Sequence, residues 1–127
     1  MSTSTKTRVV GVDIGVKTTS YAIVNIRGTI VASDHFPTTD YPDVHNFVSA
    51  LCERIIVMAE AHGGFETIRS VGISSPSANF MSGCIENAAN MPWKGVIPLA
   101  AMMRDQMGIA VALANDAHCT AMGEKVY

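Results

Sequence analysis

From Arg8 to Phe36 the chain is apolar and β-rich, and from Pro42 its apolar period lengthens to that of a helix. This switch limits the fold more than any other feature of the sequence. "RVVGVDI" (8–14), "SYAIVNI" (20–26) and "GTIVASDHF" (28–36) are broken only by a short Gly-containing turn and by the turn at Arg27-Gly28, which predicts a three-stranded meander. Val44, Phe47, Val48, Leu51, Ile55, Met58 and Ala59 then share one helical face, with Pro42 suiting the first turn and Gly63-Gly64 the stop. "IRSVGIS" (68–74) reads as a buried strand, and the stretch from 75 to 93 as a long loop with a short hairpin in it. "IPLAAMMRDQMG" (97–108) reads as a second helix, "IAVALA" (109–114) as a last strand and "DAHCTAMGEKVY" (116–127) as a third helix.

The order is therefore βββαβαβα. A meander followed by strands reached through helical crossovers makes an α/β fold with a mixed five-stranded sheet and helices on its faces. The 127 residues suffice for one compact domain and not for two. With 16% charged residues and a formal net charge of -2, a nucleic-acid-binding surface is not indicated. The three cysteines, Cys52, Cys84 and Cys119, form no C-x-x-C pair, which argues against a disulfide framework or a thiolate zinc site and for a reducing cytoplasm. No secretory h-region follows "MSTSTKTR" and no apolar run approaches the roughly 20 residues of a membrane span, so the reading is a cytoplasmic protein with no membrane partner. His35, His45, His62 and His118 have no metal-ligand spacing.

Ligands of such sheets gather at the carboxyl ends of the central strands. That rule brings Asp13 and Gly15, Ser74 and Ser75, and Asn115 and Asp116 to one rim, so two carboxylates from distant parts of the chain would share a cleft. Each residue also has an ordinary structural use. Asp13 and Gly15 suit a turn, and Asn115 or Asp116 suits a helix N-cap. A nuclease is a rival for this element order, since ribonuclease H-like folds hold two metal ions on acidic residues. Its site would want a carboxylate at the end of the fourth strand, where Ser74-Ser75-Pro76 supplies none.

"VVGVDIG", the Gly-Ile-Ser-Ser-Pro loop, "ENAANMPW" and above all "ANDAHCTAMGE" resemble, in order and spacing, the amino-terminal half of the ROK proteins (repressor, open reading frame, kinase). These are bacterial sugar kinases and sugar-responsive repressors of the actin-like ATPase superfamily. The resemblance implies a ribonuclease H-like, actin-like ATPase lobe and a glucokinase-like, ATP- and Mg2+-dependent activity on a hexose or N-acetylhexosamine. At matching positions it implies Asp116 as the base that takes the proton of the phosphorylated hydroxyl. Asn115 would hold a neighbouring hydroxyl, with Asn90 and the turn at Ser75 and Pro76 also beside the sugar. A carboxylate only accepts hydrogen bonds while a carboxamide donates as well, so an adjacent Asn and Asp can read two hydroxyls of opposite polarity. Asp116 at a helix start also meets the positive end of the dipole, which favours its ionised form.

The phosphate turn is implied at Asp13, Gly15, Lys17 and Thr18, with backbone N–H groups facing the anion and the aspartate near magnesium. Two departures stand out. Ser75 and Ser77 replace the glycines of the family's Gly-Pro-Gly turn, and Val16 replaces the second glycine of Asp-Ile-Gly-Gly-Thr-Lys, leaving Lys17, Thr18 and Thr19 to offer a cation and two hydroxyls. A degenerate nucleotide site would suit a non-catalytic sugar sensor, which is the alternative reading. Trp93 reads as a core or lid anchor rather than a sugar-stacking face, and Met102, Met103 and Met107 as packing.

The chain stops at Tyr127, about where the family continues into a second lobe that carries the adenine surface and, in many members, a zinc cluster. The expectation is a flexible segment 1–7 and one lobe over 8–127, with no metal site of its own, inactive alone and self-associating through the face left bare. The repressors carry a helix-turn-helix ahead of the first strand, where this sequence has about seven residues, which favours the kinase branch.

Overall fold

The computed structural model describes residues 7–75, 78–79, 83–86, 93 and 95–114. Among these residues, eight strands and two α-helices follow in the order β1 (Arg8–Ile14), β2 (Thr18–Val24), β3 (Ile30–Pro37), α1 (Val44–Ala61), β4 (Ile68–Ser74), β5 (Ala78–Asn79), β6 (Cys84–Glu86), β7 (Val96–Ile97), α2 (Leu99–Met107) and β8 (Ala110–Ala114). The main sheet has the order β3-β2-β1-β4-β8, with β2 antiparallel to its two neighbours and β4 parallel to β1 and β8. The meander, the mixed five-stranded sheet and both crossover helices match the sequence reading. The third helix, 116–127, lies outside the described residues.

Boundaries moved where tertiary pairing decided them. Strand β2 begins at Thr18 rather than residue 20, because the β1–β2 turn is tighter than the Gly-containing run suggested. Pro42 lies outside α1; Asp43 is the N-cap, its carboxylate accepting the backbone N–H of His45 at 2.8 Å. At the other end Gly63 and Gly64 adopt positive φ, Gly64 N–H reaches back to the Ala59 carbonyl at 2.8 Å, and the Arg8 guanidinium donates to the His62 carbonyl. These contacts satisfy the carbonyls that a helix end leaves open. Ile97, read as helical, ends β7 instead; the long loop holds the short hairpin read there, β5-β6, and β7, just beyond the loop, adds a third antiparallel strand to it.

The connections β3–α1–β4 and β4–α2–β8 both move the same way across the sheet between parallel strands. Right-handed crossovers therefore place both helices on one face. Alternation sends Val10, Val12, Ile14, Tyr21, Ile23, Val71, Ile73, Val111 and Leu113 to that face, where they pack with Phe47, Leu51, Ile55, Leu99 and Met103. Each of these side chains contributes about 1.5–3 kcal/mol of transfer free energy by burial. The opposite residues of the same strands, Gly11, Ser20, Ala22, Gly72 and Ala112, are small and face away from the helices. Nothing among the described residues comes within 4 Å of a Cβ built on Gly11 or Gly72.

Candidate functional site

Parallel pairing aligns the ends of three strands. Asp13 lies opposite Ser74, and Ser74 opposite Ala114, so β4 and β8 end level with Asp13, one residue before the end of β1, each strand about 4.8 Å from the next. The Asn115-Asp116 pair follows Ala114 in the sequence. Asp13 also borders an open depression of about 680 Å³ on the face away from α1 and α2, lined by Gly11, Ser20, Ala22, Ser33 and Gly72 among others. Ser75, directly past β4, is fully buried. Pro76, Asn90, Asn115 and Asp116 lie outside the described residues.

The β1–β2 turn is closed by a hydrogen bond from Gly15 N–H to the Thr18 carbonyl at 2.9 Å. A Cβ on Gly15 would sit 2.7 Å from that carbonyl oxygen, so glycine is required here for room. Val16, Lys17 and Thr18 are exposed on the turn. The substituted glycine therefore leaves the fold of the hairpin intact, and the steric burden of Val16 falls on whatever approaches the turn. Thr19 corrects the sequence reading. Strand alternation turns it to the core, where its hydroxyl is fully buried and hydrogen bonds to the Thr38 hydroxyl at 2.6 Å, so it offers no donor to a ligand.

Trp93 is an anchor, as its solitary place in a small domain suggested. It is 3% exposed, its ring centroid lies 4.5 Å from that of Phe47, and its indole N–H donates to the Tyr41 carbonyl at 2.9 Å. Phe36, Tyr41 and Phe47 complete the cluster with ring separations of 5.5 to 6.3 Å. The Arg54 guanidinium stands 4.7 Å over the Phe36 ring. Hydrogen bonding to the Tyr41 phenol, helped by Tyr21, raises its pKa further despite some desolvation. Burial pushes the Tyr21 phenol up against the opposing hydrogen bond from Arg54, and burial lifts the Cys52 thiol to about 11. Neither group belongs to the strand-end rim. Met103 and Met107 are buried and Met102 packs against the core, as read from the sequence. The described residues hold no group of three His, Cys, Asp or Glu side chains placed to bind a metal, and no described helix is long and apolar enough to cross a membrane.

The model of the ROK family matches residues 9–127, nearly the whole chain. The chain belongs to the ROK family. Its fold recurs in a ROK glucokinase from Streptomyces griseus, solved with glucose and AMPPNP, at 26% identity and a TM-score of 0.77 over 92% of this chain and 36% of that one. A ROK transcriptional regulator, a homologue of the Escherichia coli MLC protein, superposes over 100% of this chain and 32% of its own at 16% identity, with a TM-score of 0.80. The polyphosphate/ATP-glucomannokinase of an Arthrobacter strain matches at 22% identity and a TM-score of 0.74, over 95% of this chain and 49% of its own. The chain thus spans about a third to a half of the length of these ROK structures. No curated protein sequence matches it. The family holds both sugar kinases and regulators, and the ribonuclease H-like, actin-like ATPase sheet read from the sequence is the fold of this ROK chain.

Proposed function

We propose that this ROK chain is the amino-terminal lobe of an ATP-dependent sugar kinase acting on a hexose or N-acetylhexosamine. In this reading residues 8–127 form one lobe, and a second lobe completes the site. The observation that carries it is the alignment of Asp13, Ser74 and Ala114 at the ends of β1, β4 and β8, because it brings the phosphate turn and the strand preceding Asn115-Asp116 to one rim. Asp13 at the end of its strand, the Gly15–Thr18 turn and the exposed Lys17 supply a carboxylate, backbone N–H groups and a cation. That donor set fits a magnesium-bound triphosphate. ATP when bound supplies the phosphoryl group and the metal its charge neutralisation.

The chain's own residues do the rest. Asn115, Asn90 and Pro76 hold the sugar, the buried Ser75 anchors the turn that carries Pro76, and Asp116 accepts the proton of the attacking hydroxyl. Positioning and charge stabilisation outweigh proton abstraction in phosphoryl transfer, since the hydroxyl loses its proton late.

The test is Asp116→Asn in the full-length, two-lobed protein. Sugar binding persists while turnover falls by roughly 10² to 10⁴, whereas Asn115→Ala weakens sugar binding by about 1–3 kcal/mol. A kcat within about threefold of wild type for Asp116→Asn, with the fold intact, removes the base assignment. Residues 1–127 alone, lacking lobe closure around both substrates, turn over no ATP in response to sugar.

The second reading, a sugar-sensing regulator without phosphoryl transfer, draws on Val16 at the phosphate turn and on the likeness to the ROK transcriptional regulator. Nucleotide titration separates the two, since a sensor binds sugar and ignores ATP.

A further inference from the structure

Four hydrogen bonds, two of them in parallel at Thr38 and two following in series, join the phosphate turn to Trp93. The Thr38 N–H donates to the Lys17 carbonyl at 2.9 Å, and the Thr38 hydroxyl meets that of Thr19, next to the turn, at 2.6 Å. The Tyr41 N–H donates to the Thr38 carbonyl at 3.1 Å, closing a 3-10 turn over Thr38–Asp40. The Tyr41 carbonyl in turn accepts the Trp93 indole N–H at 2.9 Å. All the polar groups of Thr38, its N–H, hydroxyl and carbonyl, are engaged, and Thr38 and Thr19 are each 0% exposed. Water cannot take over either hydroxyl without opening the core, so this connection is stiff. Trp93 is held at its far end by the Phe47 ring and stands three residues after Asn90 in the sequence.

We propose that Thr38 is a positioning residue that couples the phosphate turn to the Trp93 anchor, so that nucleotide on one side and sugar on the other report to each other through the 38–41 turn. The assignment of those two sides rests on the kinase reading; the mechanical link does not. Ligand at the turn shifts the Lys17 carbonyl, Thr38 follows because both its main chain and its side chain are tied there, and the displacement reaches Trp93 through Tyr41. Linkage requires the converse: a sugar that settles the Trp93 anchor alters affinity at the turn by the same factor.

The experiment uses Trp93 as the reporter, since it is the chain's single tryptophan and gives one indole N–H resonance. Residues 1–127 are prepared as wild type, Gly15→Ala, Thr38→Val and the double variant. Gly15→Ala disturbs the turn and moves the indole resonance in the wild-type background. In the Thr38→Val background that displacement falls by more than about half, a non-additivity that independent sites do not show. Thr38→Ser, which keeps the hydroxyl, restores it. Thr19→Val removes the same hydrogen bond from the other side and replaces Thr38→Val should the latter fail to fold.

An indole resonance indifferent to Gly15→Ala, or equally displaced with and without the Thr38 hydroxyl, overturns the coupling. In the two-lobed protein Thr38→Val reduces the factor by which AMPPNP tightens sugar binding, while Thr38→Ser retains it. An unchanged factor confines Thr38 to a structural role. Should the kinase reading fail, the indole displacement survives and only the nucleotide arm goes silent, so the two failures are distinguishable.

Discussion

Replacing Gly15 by alanine tests whether the β1–β2 turn is held by backbone geometry. The added Cβ falls 2.7 Å from the Thr18 carbonyl oxygen, a backbone atom that cannot rotate aside, so the turn has to open by several tenths of an ångström. Overpacking of this kind costs about 1–3 kcal/mol, and weakening the 2.9 Å Gly15–Thr18 hydrogen bond adds up to about 1 kcal/mol. Loss of freedom in the unfolded chain returns about 0.4–1 kcal/mol, because alanine has fewer states to lose than glycine. The net expectation is a destabilisation of about 1–3 kcal/mol. With an unfolding entropy near 2.1 cal/mol/K per residue, that lowers the melting temperature by about 4–11 °C for a chain of 127 residues. Circular dichroism melts at one protein concentration measure it, with Val16→Ala as the control. Val16 is 37% exposed on the same turn, and its truncation costs less than about 0.5 kcal/mol. Equal melting temperatures for Gly15→Ala and wild type would refute the argument that room, rather than a left-handed backbone, makes glycine necessary here.

Two further substitutions probe the core and the alkaline limit. Phe47 is fully buried among Phe36, Tyr41 and Trp93; Phe47→Ala costs about 3–5 kcal/mol in urea unfolding and red-shifts Trp93 emission as water reaches the indole. The Cys52 thiol, lifted from 9.0 to about 11 by burial, keeps its proton in the folded state while the unfolded chain loses it. Its contribution is therefore complete below pH 9 and declines by roughly 2–3 kcal/mol as pH rises to 11. Unfolding midpoints measured over that interval fall less steeply for Cys52→Ala than for wild type; parallel slopes would remove the thiol from the account.

The departure of this chain from the family's double glycine acquires a physical meaning from the hairpin. The first glycine is the one the fold needs, since only there does a side chain meet backbone. The second position is exposed, so a valine there leaves folding untouched and bears on ligand approach alone. The demand of folding and the room left for an approaching group thus fall on adjacent residues separately. The same separation holds between Thr18, exposed at the turn, and Thr19, buried beneath it.

Local periodicity by itself determined the element order, because alternation over 8–36 and the 3.6-residue spacing over 44–59 are properties of neighbouring side chains. The ordering of elements also dictated a mixed sheet covered by crossover helices, whereas that both helices share one face follows from the strand order β3-β2-β1-β4-β8, which only the structure supplies. The rim was legible to the same extent: a carboxylate and a glycine end the first strand, and Asn115-Asp116 follows the last. Registers were not legible. That Asp13, Ser74 and Ala114 fall opposite one another depends on how β4 and β8 slide along β1, and every residue on the core face votes on that at once. Thr38 carried no signal at all in the sequence, being one threonine of the pair Thr38-Thr39 before a proline-containing turn. Only the return of β3 along β2 brings it under the β1–β2 turn, and only the docking of Trp93, 52 residues beyond Tyr41, extends the link. Contacts between segments so far apart in the chain are decided by the packing of the whole core, which no local pattern encodes.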